Sequence, residues 1–223
     1  MSQDTSHWRF QDNFNLSLFR NTDAVIDLEN NLALRYFKGK DRFIALSSIH
    51  YNSSEEQNFA QSGFLHLRYV RSLKPWLLLE AFGQFQTDRP LKIEQRFLQG
   101  AGLRFVLHES KNFAFYTGHL AMYEYDAELE TGIEHYDWRL SSYLSMDWSL
   151  GEAFKWTSVL YYQPRLGNFE DFRFNWQNQW AFKFNQHWSF TLAGNLTYDA
   201  NPVIDPEIPN FTYRITNGLQ LNF

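Results

Sequence analysis

Phe 22, Tyr 12 and Trp 8 make up 19 % of a 223-residue chain that also carries 20 % charged residues and a net charge of −5. That aromatic load excludes a disordered chain, and the acidic balance argues against a duplex-binding groove, whose affinity comes largely from neutralising phosphates. The absence of cysteine removes any disulfide framework, thiolate metal site or cysteine nucleophile.

Taken from the N-terminus, Met1-Ser2-Gln3-Asp4-Thr5-Ser6 has neither a basic n-region nor an apolar h-region, so the sequence as written carries no secretory signal. The expectation is either a cytosolic protein or one whose leader had already been removed. The longest uninterrupted apolar runs, such as Trp76-Leu77-Leu78-Leu79 and Leu120-Ala121-Met122-Tyr123, have four residues, against ~20 for a membrane-spanning helix.

Turn residues divide the chain into twelve expected strands at 7–20, 24–37, 42–51, 60–71, 76–87, 93–107, 113–126, 134–148, 153–163, 172–184, 188–198 and 211–223. Alternation is clearest in the later ones. Over 135–148, one face takes Tyr136, Trp138, Leu140, Ser142, Leu144, Met146 and Trp148, and the other His135, Asp137, Arg139, Ser141, Tyr143, Ser145 and Asp147. Over 172–185, Phe172, Phe174, Trp176, Trp180, Phe182 and Phe184 share a face with Asn178, opposite Arg173, Asn175, Gln177, Gln179, Ala181, Lys183 and Asn185. The stretches 188–199 and 211–223 repeat this period of two, which a helix would scatter.

Tight turns are expected at 38–41, 72–75, 108–112, 149–152 and 185–187, and longer connections notably at 52–59, 164–171 and 199–210. Long strands in an up-and-down meander, with short turns at one end and longer loops at the other, imply an all-β transmembrane antiparallel barrel of about 12 strands. The whole of 1–223 is expected to form this one domain, with 1–6 as a flexible lead-in.

Three features place the apolar face against lipid. A soluble ring of twelve strands is wider than side chains can fill, since about eight is the size they fill. Aromatic residues gather near strand ends, with Trp148, Phe154 and Trp156 at one tight turn and Phe182, Phe184, Trp188 and Phe190 at another, as in an interfacial girdle. The closing Leu219-Gln220-Leu221-Asn222-Phe223 resembles the C-terminal signal of bacterial outer-membrane barrels. In addition, the longer connections carry 11 acidic and 3 basic residues, and the shorter set 6 basic and 3 acidic. With both termini in the periplasm, the acidic set faces outward, where divalent cations would bridge it to lipopolysaccharide. Ordinary solvated loop charges explain the same asymmetry.

Three motifs carry a family resemblance, in order, from about Trp76 to the end. Arg96-Phe97-Leu98-Gln99-Gly100-Ala101-Gly102-Leu103-Arg104-Phe105 resembles an Arg-x-x-x-Gly-Ala-Gly-Leu-Gly-Tyr strand, with Arg104-Phe105 where a glycine-aromatic pair is usual. Tyr162-Gln163-Pro164 with Asn168-Phe169-Glu170-Asp171-Phe172-Arg173 is similar to an Asn-x-x-Asp-aromatic-Arg connection. Tyr198-Asp199-Ala200-Asn201-Pro202, then Thr216-Asn217-Gly218-Leu219, resembles a Tyr-Asp-Ser-Asn-Pro segment and its final strand. The family is that of the YdiY-like salt-induced outer-membrane proteins, a domain of unknown function. The resemblance implies a Gram-negative outer-membrane barrel and supplies no catalytic residues.

On the polar face, Glu80, Glu94, Arg96, Arg104, Glu124, Asp137, Arg139, Arg173 and Arg214 are the residues expected to line the lumen, either as a hydrated pore or as pairs that plug it. Paired packing with some water is favoured, because an unpaired buried ion costs several kcal/mol. Gly100 and Gly102 make room for a bulky neighbour or a kink. His50, His66, His119 and His135 fall on or near this face without metal-ligand spacing, and Asp199, Asn201, Asp205 and Glu207 lack the glycine of a calcium loop, so no metal and no cofactor is expected. Ser142, Ser158 and Asn178 are polar on the apolar face. With no histidine expected beside them, a serine there lacks a base, and no catalytic residue is assigned. The expected role is passive, a small-solute channel or a structural envelope protein linked to osmotic or salt stress. A lipid-modifying enzyme, which a histidine within reach of Ser142 or Ser158 would favour, and a soluble ligand-binding β protein are the alternatives.

Overall fold

The period of two becomes twelve β-strands in the computed structural model, which describes residues 6–20, 24–54, 58–185, 188–202 and 208–221. They are β1 (His7–Arg20), β2 (Ala24–Lys38), β3 (Asp41–Ser54), β4 (Asn58–Lys74), β5 (Leu77–Asp88), β6 (Ile93–Glu109), β7 (Phe113–Glu128), β8 (Glu134–Leu150), β9 (Phe154–Arg165), β10 (Asn168–Lys183), β11 (Trp188–Asp199) and β12 (Phe211–Leu221). They form one antiparallel sheet in sequence order, so every connection is an up-and-down step. Among the described residues no helix is long and apolar enough to cross a membrane. A 3-10 turn at Arg89–Leu91 is capped by Asp88, whose carboxylate accepts the Leu91 N–H at 3.3 Å.

The expected tight turn at 38–41 is a two-residue hairpin in which Lys38 pairs with Asp41 and Gly39 takes a φ of +57°. Positive φ is the conformation a right-twisted hairpin needs, and glycine adopts it without a Cβ penalty.

The connection expected over 164–171 is different. Arg165 pairs with Asn168 across Leu166–Gly167, and the register then shifts so that Phe172 pairs with Pro164. Proline has no N–H to give the ladder. Residues 169–171 therefore bulge opposite it, and a bulge re-aims side chains. Here it delivers Asp171, buried, to the polar face. Asp205, Glu207, Asn222 and Phe223, singled out in the sequence, lie outside the described residues.

Contacts divide the chain into two units. One comprises Met1–Leu73, Leu79–Ala101 and Met122–Asp137, the other Lys74–Leu78, Gly102–Ala121 and Trp138–Phe223. In the first, rings on the apolar face line up across strands at both ends. Trp8, Tyr36, Phe43 and Tyr69 meet in sequence as tilted rings, with centroids 4.4, 6.1 and 5.0 Å apart, near the Gly39 hairpin. Phe85, Phe97, Tyr125 and Tyr136 do so at 4.8, 6.2 and 5.1 Å toward the longer connections.

The second unit repeats the plan. Trp148, Trp156 and Trp180 form one row, with Phe154, Phe182 and Phe190 beside it. Tyr162 and Phe174, with Phe172 and Tyr198, form the other. Phe174 and Phe182 are eight residues apart on β10, about 26 Å along the strand at ~3.3 Å per residue, or about 20 Å of height at the ~35–45° tilt of barrel strands, which fits inside the ~25 Å apolar band of an outer-membrane barrel. Between the rows the apolar face neutralises its own polar groups. The Trp156 indole N–H donates to Asn178 Oδ1 at 3.3 Å, and the Trp176 indole N–H donates to Ser158 Oγ at 3.0 Å.

The polar face of this unit is tightly packed. A Cβ on Gly118 would lie 2.3 Å from the ring of Tyr143, and one on Gly102 would lie 2.1 Å from the backbone oxygen of His119. The space at Gly102 thus admits the neighbouring backbone rather than a side chain.

Candidate functional site

The polar face of the first unit concentrates buried carboxylates. Glu80 is 1 % exposed, and Glu124, Asp126, Glu128 and Asp137 are buried with it. Each ionised carboxylate removed from water needs a cation or donors. Arg68 on β4 stands 3.4 Å from Glu80. Arg96 on β6 lies between two acids of β7, its Nε 3.1 Å from Asp126 and 3.8 Å from Glu124, with Nη2 also donating to Asp126. Glu128 accepts Thr131 Oγ at 2.7 Å and meets His135 Nε2 at 2.8 Å.

His66 joins this network in one definable tautomer. Arg68 Nε can only donate, and it lies 3.2 Å from His66 Nε2, so that nitrogen accepts. The proton is left on Nδ1, which donates to Gln84 Oε1 at 3.0 Å. A neutral imidazole is the form that suits both partners.

In the second unit the cations dominate. Arg139, 2 % exposed, places Nη2 2.9 Å from Asp171 and donates from Nη1 to the backbone oxygens of Gln163 and Asp171. Arg165 approaches the other oxygen of Asp171 at 3.6 Å. Arg173 Nε meets Asp199 at 2.6 Å, and Asp199 in turn accepts the Asn201 N–H at 3.0 Å. Arg104 takes an aromatic partner, with its guanidinium carbon 4.0 Å above the Tyr116 ring.

Seven of the nine residues expected to line the lumen are thus half-buried or buried in this face, while Glu94 and Arg214 are exposed on it. The acids that complete the pairs, Asp126, Asp171 and Asp199, are not among those nine. The Asn-x-x-Asp-aromatic-Arg and Tyr-Asp motifs contained two of them. Asp171 and Asp199, which fall in the connections expected at 164–171 and 199–210, are strand-end residues held by Arg139 and Arg173, as Glu128 is by His135. Among the described residues no group of three His, Asp or Glu is placed to hold a metal ion.

The four histidines do not share one face. His50 Nε2 contacts Asp27 at 2.9 Å, and His66 and His135 are bound as described. His119, expected on or near the polar face, is exposed on the apolar face, with Nδ1 3.0 Å from Ser142 Oγ. The expectation that no histidine accompanies these serines is therefore wrong. Both alternating sets of β7 are mixed: Leu120 and Met122 are buried on the same face as Glu124 and Asp126, leaving His119 with Thr117 and Tyr123 on the other.

A family described as protein of unknown function, DUF481, matches residues 21–220. The chain belongs to that family. No protein of curated function matches its sequence. Among solved structures, the NanC porin is similar with a TM-score of 0.54 at 10 % identity, covering 96 % of this chain and 99 % of that one. Two structures of the KdgM porin, one alone and one in complex with disordered oligogalacturonate, reach 0.48 and 0.49 at 8 % and 9 % identity, each covering 98 % of this chain and 99 % of the other. The likeness to the NanC porin shows the fold of this DUF481 chain to be an antiparallel up-and-down barrel fold of the porin type.

Proposed function

We propose that the chain is a passive small-solute channel of the Gram-negative outer membrane. The observation that carries this reading is the segregation of the two faces. One is apolar and rimmed by an aromatic row at each end, and the other holds charges that an apolar solvent would not tolerate. Lipid is the natural partner of the first face and water of the second. The paired arginines and carboxylates would make the passage narrow and hydrated rather than wide. The link to osmotic or salt stress rests on the family resemblance. Bridging by divalent cations to lipopolysaccharide would fall to exposed acids such as Glu170, since Glu128, Glu130, Asp171 and Asp199 are already engaged.

Single-channel recording in a planar bilayer tests the proposal. The refolded protein should give stable conductance steps, and Arg104→Ala, which removes a cation that stacks on Tyr116 instead of pairing with a carboxylate among the described residues, should raise the preference for cations. A silent bilayer from protein shown to be folded would overturn the channel reading.

A further inference from the structure

On the apolar face of the second unit, Thr117, His119 and Ser142 form a hydrogen-bonded chain. Ser142 Oγ lies 3.0 Å from His119 Nδ1, Thr117 Oγ1 lies 3.4 Å from His119 Nε2, and Thr117 Oγ1 donates to the backbone oxygen of Tyr143 at 3.0 Å. The proton count then fixes the roles. Thr117 has one hydroxyl proton, and Tyr143 O receives it, so toward His119 the threonine oxygen can only accept. His119 Nε2 therefore carries the ring proton and Nδ1 carries a lone pair. That lone pair faces the hydroxyl of Ser142.

A hydroxyl donating to a histidine lone pair, with the second ring nitrogen held by a third group, is the arrangement that activates a serine nucleophile. Ser158, on the same face of this unit, has the Trp176 indole N–H as its neighbour, a donor that cannot take a proton from it. His119 is exposed, so the pair is open to whatever covers this face. On β8 Ser142 stands four residues from Trp138 and six from Trp148, which puts it in the half of the apolar band nearer the longer connections. If this face meets lipid, as the proposed function requires, acyl esters are the electrophiles within that layer.

We propose that Ser142, with His119 as general base, hydrolyses acyl esters of membrane lipids at the outer wall of the sheet. Ser142 Oγ attacks the ester carbonyl while its proton passes to His119 Nδ1. The bond from the acyl carbon to the alcohol oxygen breaks, and the proton on Nδ1 goes to the departing alkoxide. Water then attacks the acyl-serine, loses a proton to Nδ1, and releases a fatty acid as Ser142 regains its hydrogen. Thr117 is a positioning residue that selects the tautomer. General-base assistance alone contributes about 10²–10⁴-fold, so turnover should be slow.

The test is covalent labelling of the detergent-folded protein with a fluorophosphonate, read by peptide mass spectrometry, together with fatty-acid release from a diacyl phospholipid in mixed micelles. Ser142 should label and Ser158 should not. His119→Ala should slow labelling about 100-fold, Thr117→Val should slow it less, and Thr117→Ser should restore it. Fatty-acid release should vanish in Ser142→Ala and persist in Ser158→Ala. Absence of label at Ser142 in folded protein, equal labelling in His119→Ala, or labelling with no fatty-acid release would each overturn the proposal. Because the assay is done in micelles and reads no conductance, a silent bilayer would not decide it.

Discussion

Replacing Arg139 with methionine should lower the unfolding free energy by about 3–5 kcal/mol, the usual cost of leaving one member of a buried ion pair behind. Asp171 is 4 % exposed and has its shortest charged contact with Arg139 at 2.9 Å. Arg165 is farther away at 3.6 Å and itself partly exposed, so it cannot take over the role of a guanidinium that also satisfies two backbone oxygens. Those oxygens sit where Pro164 and the bulge interrupt the ladder, which makes Arg139 a structural tie for β8, β9 and β10 as well as a counter-ion. Urea unfolding in detergent, followed by tryptophan fluorescence, would show the loss as a fall in midpoint. The double variant Arg139→Met with Asp171→Leu should recover most of it, because two matched apolar groups need no partner. A single variant as stable as the parent would mean that the pair contributes nothing to folding.

Gly102→Ala should cost about 3 kcal/mol, the upper end of overpacking penalties. The added Cβ would fall 2.1 Å from His119 O and 2.6 Å from Leu120 Cα. These are backbone atoms of β7, so relief requires parting two strands rather than turning a rotamer. Gly83→Ala is the control, since nothing lies within 4 Å of its Cβ, and it should change stability by less than about 0.5 kcal/mol. Refolding yield and urea midpoint should both separate the two variants. The effect would extend to the outer face, because the carbonyl that must move belongs to His119.

The legibility of the sequence varied strand by strand, for physical reasons. In β8, β10, β11 and β12 one face is nearly all apolar, so alternation alone assigns every residue a side and leads to the barrel. In β7 both faces are mixed, because the polar face buries Leu120 and Met122 among carboxylates, and alternation then carries no sign. That is why alternation puts His119 on the wrong side. The arginines of the polar face could be recognised from the pattern, but their partners could not. Asp171 shares the parity of Arg173, but it lies in the bulge before the expected start of the strand at 172, so the pattern does not show it reaching Arg139. Ser158 and Asn178 stood out as polar residues on an apolar face, but a sequence does not show which indole turns toward them.

Those two indole contacts bear on how the protein assembles. Trp156 and Ser158 lie on β9, and Trp176 and Asn178 on β10, so each of the two hydrogen bonds closes within a single hairpin. A polar group entering hydrocarbon without a partner costs several kcal/mol. The β9–β10 hairpin therefore brings side-chain partners for its own polar groups, while its outer backbone edges still need β8 and β11 beside them before they can face hydrocarbon.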